Sequence, residues 1–173
     1  FLGLGMIRAV IAWDYPSFEY QRIAPDRFGF TPEERLFYAH ATLDYLQRAE
    51  PSEEVIYLLE ELRLPDSDDP LYNEAEIGHM VDVKDLTDGI RTLWWSAAVL
   101  ITIGLAFLLS QPALRLEGFR AIYQGGLATV IILAAIALFI AVGWSVFFVQ
   151  FHELLFPPGT WSFRYSDSLI RLF

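Results

Sequence analysis

Two long apolar runs constrain this chain more than anything else in it. Residues 92–114 and 121–151 contain no Asp, Glu, Lys or Arg. Each is longer than the roughly 20 apolar residues a helix needs to cross a bilayer, so the chain reads as an integral membrane protein. Trp94 and Trp95 open the first run, where indoles favour the headgroup layer, and Pro112 closes it. This places one span near 92–110. The second run follows Gly125 and Gly126 and ends near Trp144 and Phe148, close to His152, which places the other span near 125–149.

Charge is distributed just as unevenly. From Asp14 to Asp88 there are 19 acidic and 6 basic residues, a net charge of -13, while the rest of the chain is net +3. With 22 acidic against 12 basic residues overall, and Lys84 the single lysine, the chain lacks the cationic footprint of a nucleic-acid binder. It has no cysteine, which excludes disulfides, thiol nucleophiles and thiolate metal ligands. The composition therefore divides into an acidic extramembrane part and a membrane part.

Two spans return the chain to its starting side, so the segment before Arg91 and the segment after Gln150 face one compartment. The acidic part and His152 are then expected to be neighbours. The linker between the spans carries Arg115 and Arg120 against Glu117. Those two arginines, and the poor fit of a strongly acidic face to an anionic inner leaflet, favour an outward-facing acidic part. The chain opens on FLGLGMIRAVIAW, apolar but too short to span alone, which reads as the end of a further helix. SLIRLF at the other end reads as the start of another. Arg8 is costly in such a segment unless it snorkels or pairs. The expected divisions are residues 1–13 as the end of a first transmembrane helix and 14–90 as the acidic cap. Residues 91–150 form a transmembrane hairpin, and 151–173 an aromatic interfacial segment leading to a last helix.

Within the cap, Thr31-Pro32-Glu33-Glu34 combines a capping-box pair with proline at the first helical position. A helix to about Arg48 follows, with Leu36, Phe37, Ala39, Leu43 and Leu46 as its inward stripe. Ser52 to Leu64 reads as a second helix capped by Ser52, stopped by Pro65 and followed by a PDSDDP loop. EAEIGHMVDVKDL is then helical toward the first span. A straight helix over 79–93 would hold His79 roughly 20 Å above the start of that span. A break near Thr87-Asp88-Gly89 is expected to fold the helix down onto the membrane surface.

His40, His79 and His152 are the three histidines. His40 lies near the inward stripe of its helix, which points to core packing. His79 and His152 flank one membrane face, and a pair of imidazoles there can move protons; a histidine at an interface also serves as a plain amphipathic anchor. Glu76 and Asp82 stand three residues to either side of His79, where either can orient the ring or merely pair on the helix surface. His152-Glu153 begins an H-E-x-x-H pattern, but position 156 is Phe, so the zinc-protease reading fails. A site of two histidines and a carboxylate has no spacing to support it. No dinucleotide loop or G-x-S-x-G is present. The aromatic stretch FHELLFPPGTWSFRY, with Trp161, either bounds an apolar pocket for acyl chains or anchors the segment at the interface.

The segments SFEYQ, DRFGFTPEERLFYAHATLDYL, DPLYNEAEIGHMVDVKDL and FHELLFPPGTWSF resemble the bacterial lipoprotein intramolecular transacylase family, which overlaps a group of uncharacterised integral membrane proteins. H-M-x-D-V-K and F-H-x-x-x-F, in that order and separated by two spans, carry the resemblance. It implies an all-α integral membrane protein of the bacterial cell membrane. Four spans would form a transmembrane helix bundle under a helical extracellular or periplasmic cap, with two catalytic histidines where cap and membrane meet. Those roles fall to His79 and His152. The reaction implied moves an acyl chain from the sn-2 ester of a diacylglyceryl lipoprotein to the amine of its N-terminal cysteine. It needs no metal or organic cofactor. His152 would act as base and His79 would assist the leaving oxygen or the oxyanion, with Asp82 orienting His79. Arg8, Tyr72 and Asn73 offer donors for oxyanion or headgroup contacts, and Trp161 would contact substrate. The partners implied are the lipoprotein and the bilayer. A reading from another class is a non-catalytic accessory subunit, with its acidic cap docking other membrane subunits.

Overall fold

A computed structural model describes Gly5, Ala9 and residues 13–173. Arg8 lies outside the described residues. Among those described the regular elements are helices: α1 (Tyr15–Glu19), α2 (Pro32–Gln47), α3 (Ser52–Val55), α4 (Tyr57–Glu60), α5 (Glu74–Ser110), α6 (Arg115–Leu155) and α7 (Ser168–Leu172). Among the described residues, strand pairing is limited to one antiparallel bridge between Arg63 and Pro70. The fold is all-α. Residues 13–89 and 155–173 form a polar unit, and residues 90–154 belong to an apolar one.

In the apolar unit, α5 and α6 are both long and apolar enough to cross a bilayer. The most apolar stretch of each helix is left uncovered by protein, as expected for surfaces solvated by lipid. The connection is tighter than the sequence suggests. Only residues 111–114 separate the two helices, and Arg115 donates from Nε to the Leu109 carbonyl at 3.0 Å. Arg120 and Glu117, expected in the linker, pair at 2.6 Å one turn apart on α6. Gly118 lies against the end of α5, where a Cβ would come within 2.9 Å of Leu109 Cδ2. Gly125 and Gly126 fall inside α6 rather than before it. A non-helical backbone at Gly143 (φ -137°, ψ 46°) kinks α6.

The polar unit is built on α2. The expected capping box is present: Thr31 Oγ1 accepts from Glu34 N at 3.2 Å, and Glu34 Oε2 accepts from Thr31 N at 2.8 Å. Thr31→Ala is therefore expected to lower the stability of this unit by about 1 kcal/mol, read as a lower unfolding midpoint by circular dichroism. The buried face of α2 overlaps the expected one at Ala39, with Leu46 packed against the core, and otherwise differs. Tyr38, Ala39, Thr42 and Tyr45 are buried, while Phe37 is 62% exposed. Tyrosine and threonine can occupy the interior because their hydroxyls find partners. Tyr38 donates to the Arg63 carbonyl at 2.7 Å, Thr42 donates to the Tyr38 carbonyl at 2.8 Å, and Tyr45 donates to the Met80 carbonyl at 3.4 Å. His40 is exposed rather than a core residue, and its Nε2 lies 2.8 Å from Asp14 Oδ1.

The helix expected over 52–64 is instead two short turns, α3 and α4. Ser52 does not cap them. It is buried, and its hydroxyl donates to Asp85 on α5 at 2.7 Å. The chain leaves α4 early because Leu62 and Leu64 take backbone partners across the PDSDDP loop, accepting from Leu71 N and donating to Asp69 O.

The break expected at Thr87-Asp88-Gly89 does not occur, and α5 continues through these residues. One glycine costs a helix only about 1 kcal/mol. Against that, Lys84 Nζ donates to Asp88 Oδ2 at 2.7 Å one turn on, and also to the Arg48 carbonyl at the end of α2 at 2.9 Å. Lys84 is fully buried. The lysine of H-M-x-D-V-K is thus a structural tie that satisfies the C-terminal end of α2.

Candidate active site

Asn73 starts α5 with a second reciprocal cap. Its Oδ1 accepts from Glu76 N at 3.0 Å, and Glu76 Oε2 accepts from Asn73 N at 2.8 Å. The other oxygen of Glu76 accepts from Leu169 N, in the first turn of α7, at 2.7 Å. One buried carboxylate therefore serves the N-termini of two helices, where negative charge is favoured. Burial raises its carboxyl above the usual glutamate range, outweighing the two N–H groups that lower it.

His79 follows one turn later and is buried. Phe156 meets its ring edge-on, with centroids 4.9 Å apart, and Phe163 lies at 5.4 Å. Both phenylalanines come from the segment after α6, so the aromatic stretch flagged in the sequence encloses this histidine. Asp82 is half-buried one turn further along α5 and makes no side-chain hydrogen bond among the described residues. Tyr72 is buried, with its hydroxyl 2.5 Å from Thr42 Oγ1. Tyr72 and Asn73, expected as donors, are engaged in packing and capping behind His79. Trp161 is partly buried in the segment joining Phe156 to Phe163.

The end of α7 is fastened to the rest of the polar unit at several further points. Arg171 pairs with Asp26 at 2.8 Å, and both side chains are nearly buried. Asp26 also accepts from Phe30 N at 2.9 Å, and the Arg171 guanidinium lies 3.4 Å from the Phe30 ring centroid. Burial raises the Asp26 carboxyl, but Arg171 and the backbone donors lower it further, below its usual value. Tyr20 donates to the Leu172 carbonyl at 2.5 Å. Burial pushes the Tyr20 hydroxyl up to about 12, against the influence of Arg35, so it keeps its proton at neutral pH. Sequence reasoning missed these ties because their partners are more than 140 residues apart.

His152 belongs to the apolar unit and lies near the end of α6. Its Nδ1 is 2.7 Å from the Phe148 carbonyl. A carbonyl oxygen only accepts, so Nδ1 donates, and the lone pair of the neutral ring sits on Nε2. Phe148 and Phe151 hold the ring at centroid distances of 4.1 and 5.4 Å. Among the described residues, no group of three His, Asp or Glu side chains is placed to hold a metal ion.

Two bilayer-length apolar helices mark a membrane protein, and each unit holds one candidate histidine, His79 walled by phenylalanines and His152 with Nδ1 donating to Phe148. A family model described as "Lipoprotein intramolecular transacylase Lit" matches residues 4–173. The chain belongs to that family of lipoprotein-modifying acyltransferases. It is 27% identical over 176 residues to an uncharacterized protein of Aquifex aeolicus (strain VF5), covering 100% of this chain and 76% of that one. No solved structure matches it.

Proposed function

We propose that the protein moves an acyl chain within one diacylglyceryl-modified lipoprotein, from the glyceryl sn-2 ester to the amine of the N-terminal cysteine. Family membership over residues 4–173 carries this reading. The amine nitrogen attacks the ester carbonyl, the C–N bond of an amide forms, and the bond between the acyl carbonyl carbon and the sn-2 glyceryl oxygen breaks. The proton lost from nitrogen ends on the released glyceryl oxygen. Atoms balance without a co-reactant.

His152 is the base, and the donor bond from its Nδ1 to Phe148 supports this by leaving Nε2 as the proton acceptor. His79 serves the leaving oxygen or the oxyanion, and Asp82, one turn further along α5, orients it once substrate is bound. The walls supplied by Phe156 and Phe163 favour a site from which water is excluded, which strengthens such contacts. Trp161 and Arg8 contact substrate, whereas Tyr72 and Asn73 act by holding the start of α5. Because ester and amine belong to one molecule, positioning supplies much of the rate. The protein works as a multi-pass protein of the bacterial cell membrane, with the polar unit facing outward.

Expression of the full-length gene in a strain that makes diacyl lipoproteins tests this directly. Fragmentation of the N-terminal lipopeptide by mass spectrometry is expected to place one acyl chain on the cysteine nitrogen and leave a lyso-glyceryl group. Unchanged acylation by a folded, inserted protein overturns the proposal. In that case, recovery of a defined complex after gentle solubilisation would favour an accessory subunit.

A further inference from the structure

The polar unit is strongly acidic, yet it contains a cavity of about 570 Å³ whose uncompensated charge is positive. Ile23, Phe28, Tyr165 and Ile170 supply apolar walls, and Arg27 and Arg35 supply charge. A third arginine, Arg171, is neutralised by its pair with Asp26. Arg35 donates only to neutral acceptors, the Arg171 carbonyl at 2.7 Å and the Ala24 carbonyl at 3.4 Å. Arg27 is exposed and makes no ion pair among the described residues. Two guanidinium charges thus line an apolar groove without a carboxylate of their own.

The groove is close to His79 along the chain. Phe163 touches the His79 ring, and Tyr165, two residues later, lines the groove. Those two positions are at most about 7 Å apart along the backbone. Mixed apolar walls and paired guanidiniums suit a polypeptide with an acidic side chain, since Arg binds carboxylates through paired donors. A bare anion would leave the apolar walls unused.

We infer that this groove binds the peptide of the lipoprotein substrate just beyond its N-terminal cysteine, and selects an acidic residue there. The inference rests on the proposed transacylase activity and names the part of the substrate that the polar unit reads. An extended peptide advances about 3.4 Å per residue, so the acidic residue falls within the first few positions after the cysteine.

The test uses the full-length protein in detergent and three synthetic diacylated lipopeptides carrying Asp, Ser or Lys in those positions. The expected kcat/KM is about tenfold higher for the Asp peptide than for the Lys peptide, the effect of one charge-assisted contact. Arg27→Glu is expected to reverse that order, with the Lys peptide becoming the better substrate. Peptide binding, followed by fluorescence anisotropy, separates the groove from catalysis. Acidic preference in binding without any acyl transfer sinks the transacylase reading and retains the groove. Acyl transfer with no preference among the three peptides sinks the groove alone. If Arg27→Glu weakens all three equally, and added phosphatidylglycerol competes with them, the occupant is a lipid headgroup and the peptide assignment is overturned.

Discussion

His152→Ala in the full-length protein is expected to cut acyl transfer by about a hundredfold or more, the scale of a lost general base. Membrane insertion and the unfolding midpoint should stay close to wild type, because the ring is only partly buried and its hydrogen bond is to a carbonyl of its own helix. His79→Ala is expected to be similarly inactive. It also removes the ring that Phe156 and Phe163 enclose, so its stability must be measured alongside its rate. Exogenous imidazole separates chemistry from scaffold. Partial recovery of rate in the His152→Ala protein, without a change in unfolding, is the signature of a missing proton acceptor. Activity in the double variant would refute the two-histidine mechanism while leaving the family assignment intact.

Glu76→Ala is expected to destabilise the polar unit by about 3 kcal/mol, since it orphans the N–H groups of both Asn73 and Leu169 in a buried setting. Thermal unfolding in detergent, followed by circular dichroism, reads the loss. Glu76→Gln retains one acceptor oxygen and should lie between the two. The wild-type carboxyl also predicts a pH signature. Its folded value is raised, so the stability it contributes is full below the ordinary glutamate value, about pH 4. That stability is lost as pH rises through the raised folded value, because the unfolded chain then binds fewer protons. The difference between wild type and Glu76→Gln should therefore shrink from pH 4 toward neutrality. A pH-independent difference would show that the buried carboxylate carries no such linkage.

Local patterns were legible in the sequence, and distant ones were not. Thr31, Pro32 and Glu34 announce the start of α2 because every partner in that cap lies within four residues. The two apolar runs are equally self-sufficient, since each helix satisfies its own backbone and lipid accepts its surface. The buried face of α2 was misread by counting apolarity. Phe37 outranks Tyr38 on that scale, but Tyr38 has the Arg63 carbonyl to receive its hydroxyl. Gly89 suggested a break, and nothing local revealed that Lys84 would brace the helix against both Asp88 and the end of α2. His79 and His152 were visible as motif residues, whereas the enclosure of His79 depends on Phe156 and Phe163, 77 and 84 positions further on. Asp26 and Arg171, 145 residues apart, left no trace in any local window.

The fastening of α7 also dictates the order of biogenesis. Tyr20 meets the Leu172 carbonyl across 152 residues, and Glu76 meets Leu169 across 93. Contacts that close such large loops form late. While the chain is being made, residues 13–89 precede the rest of their core, with the Glu76 carboxylate half-served and Asp26 lacking its arginine. Both apolar helices must be synthesised before residues 168–172 exist to complete that core. The core of the polar unit therefore waits, incompletely packed, until both long helices have been synthesised and the last residues of the unit follow them.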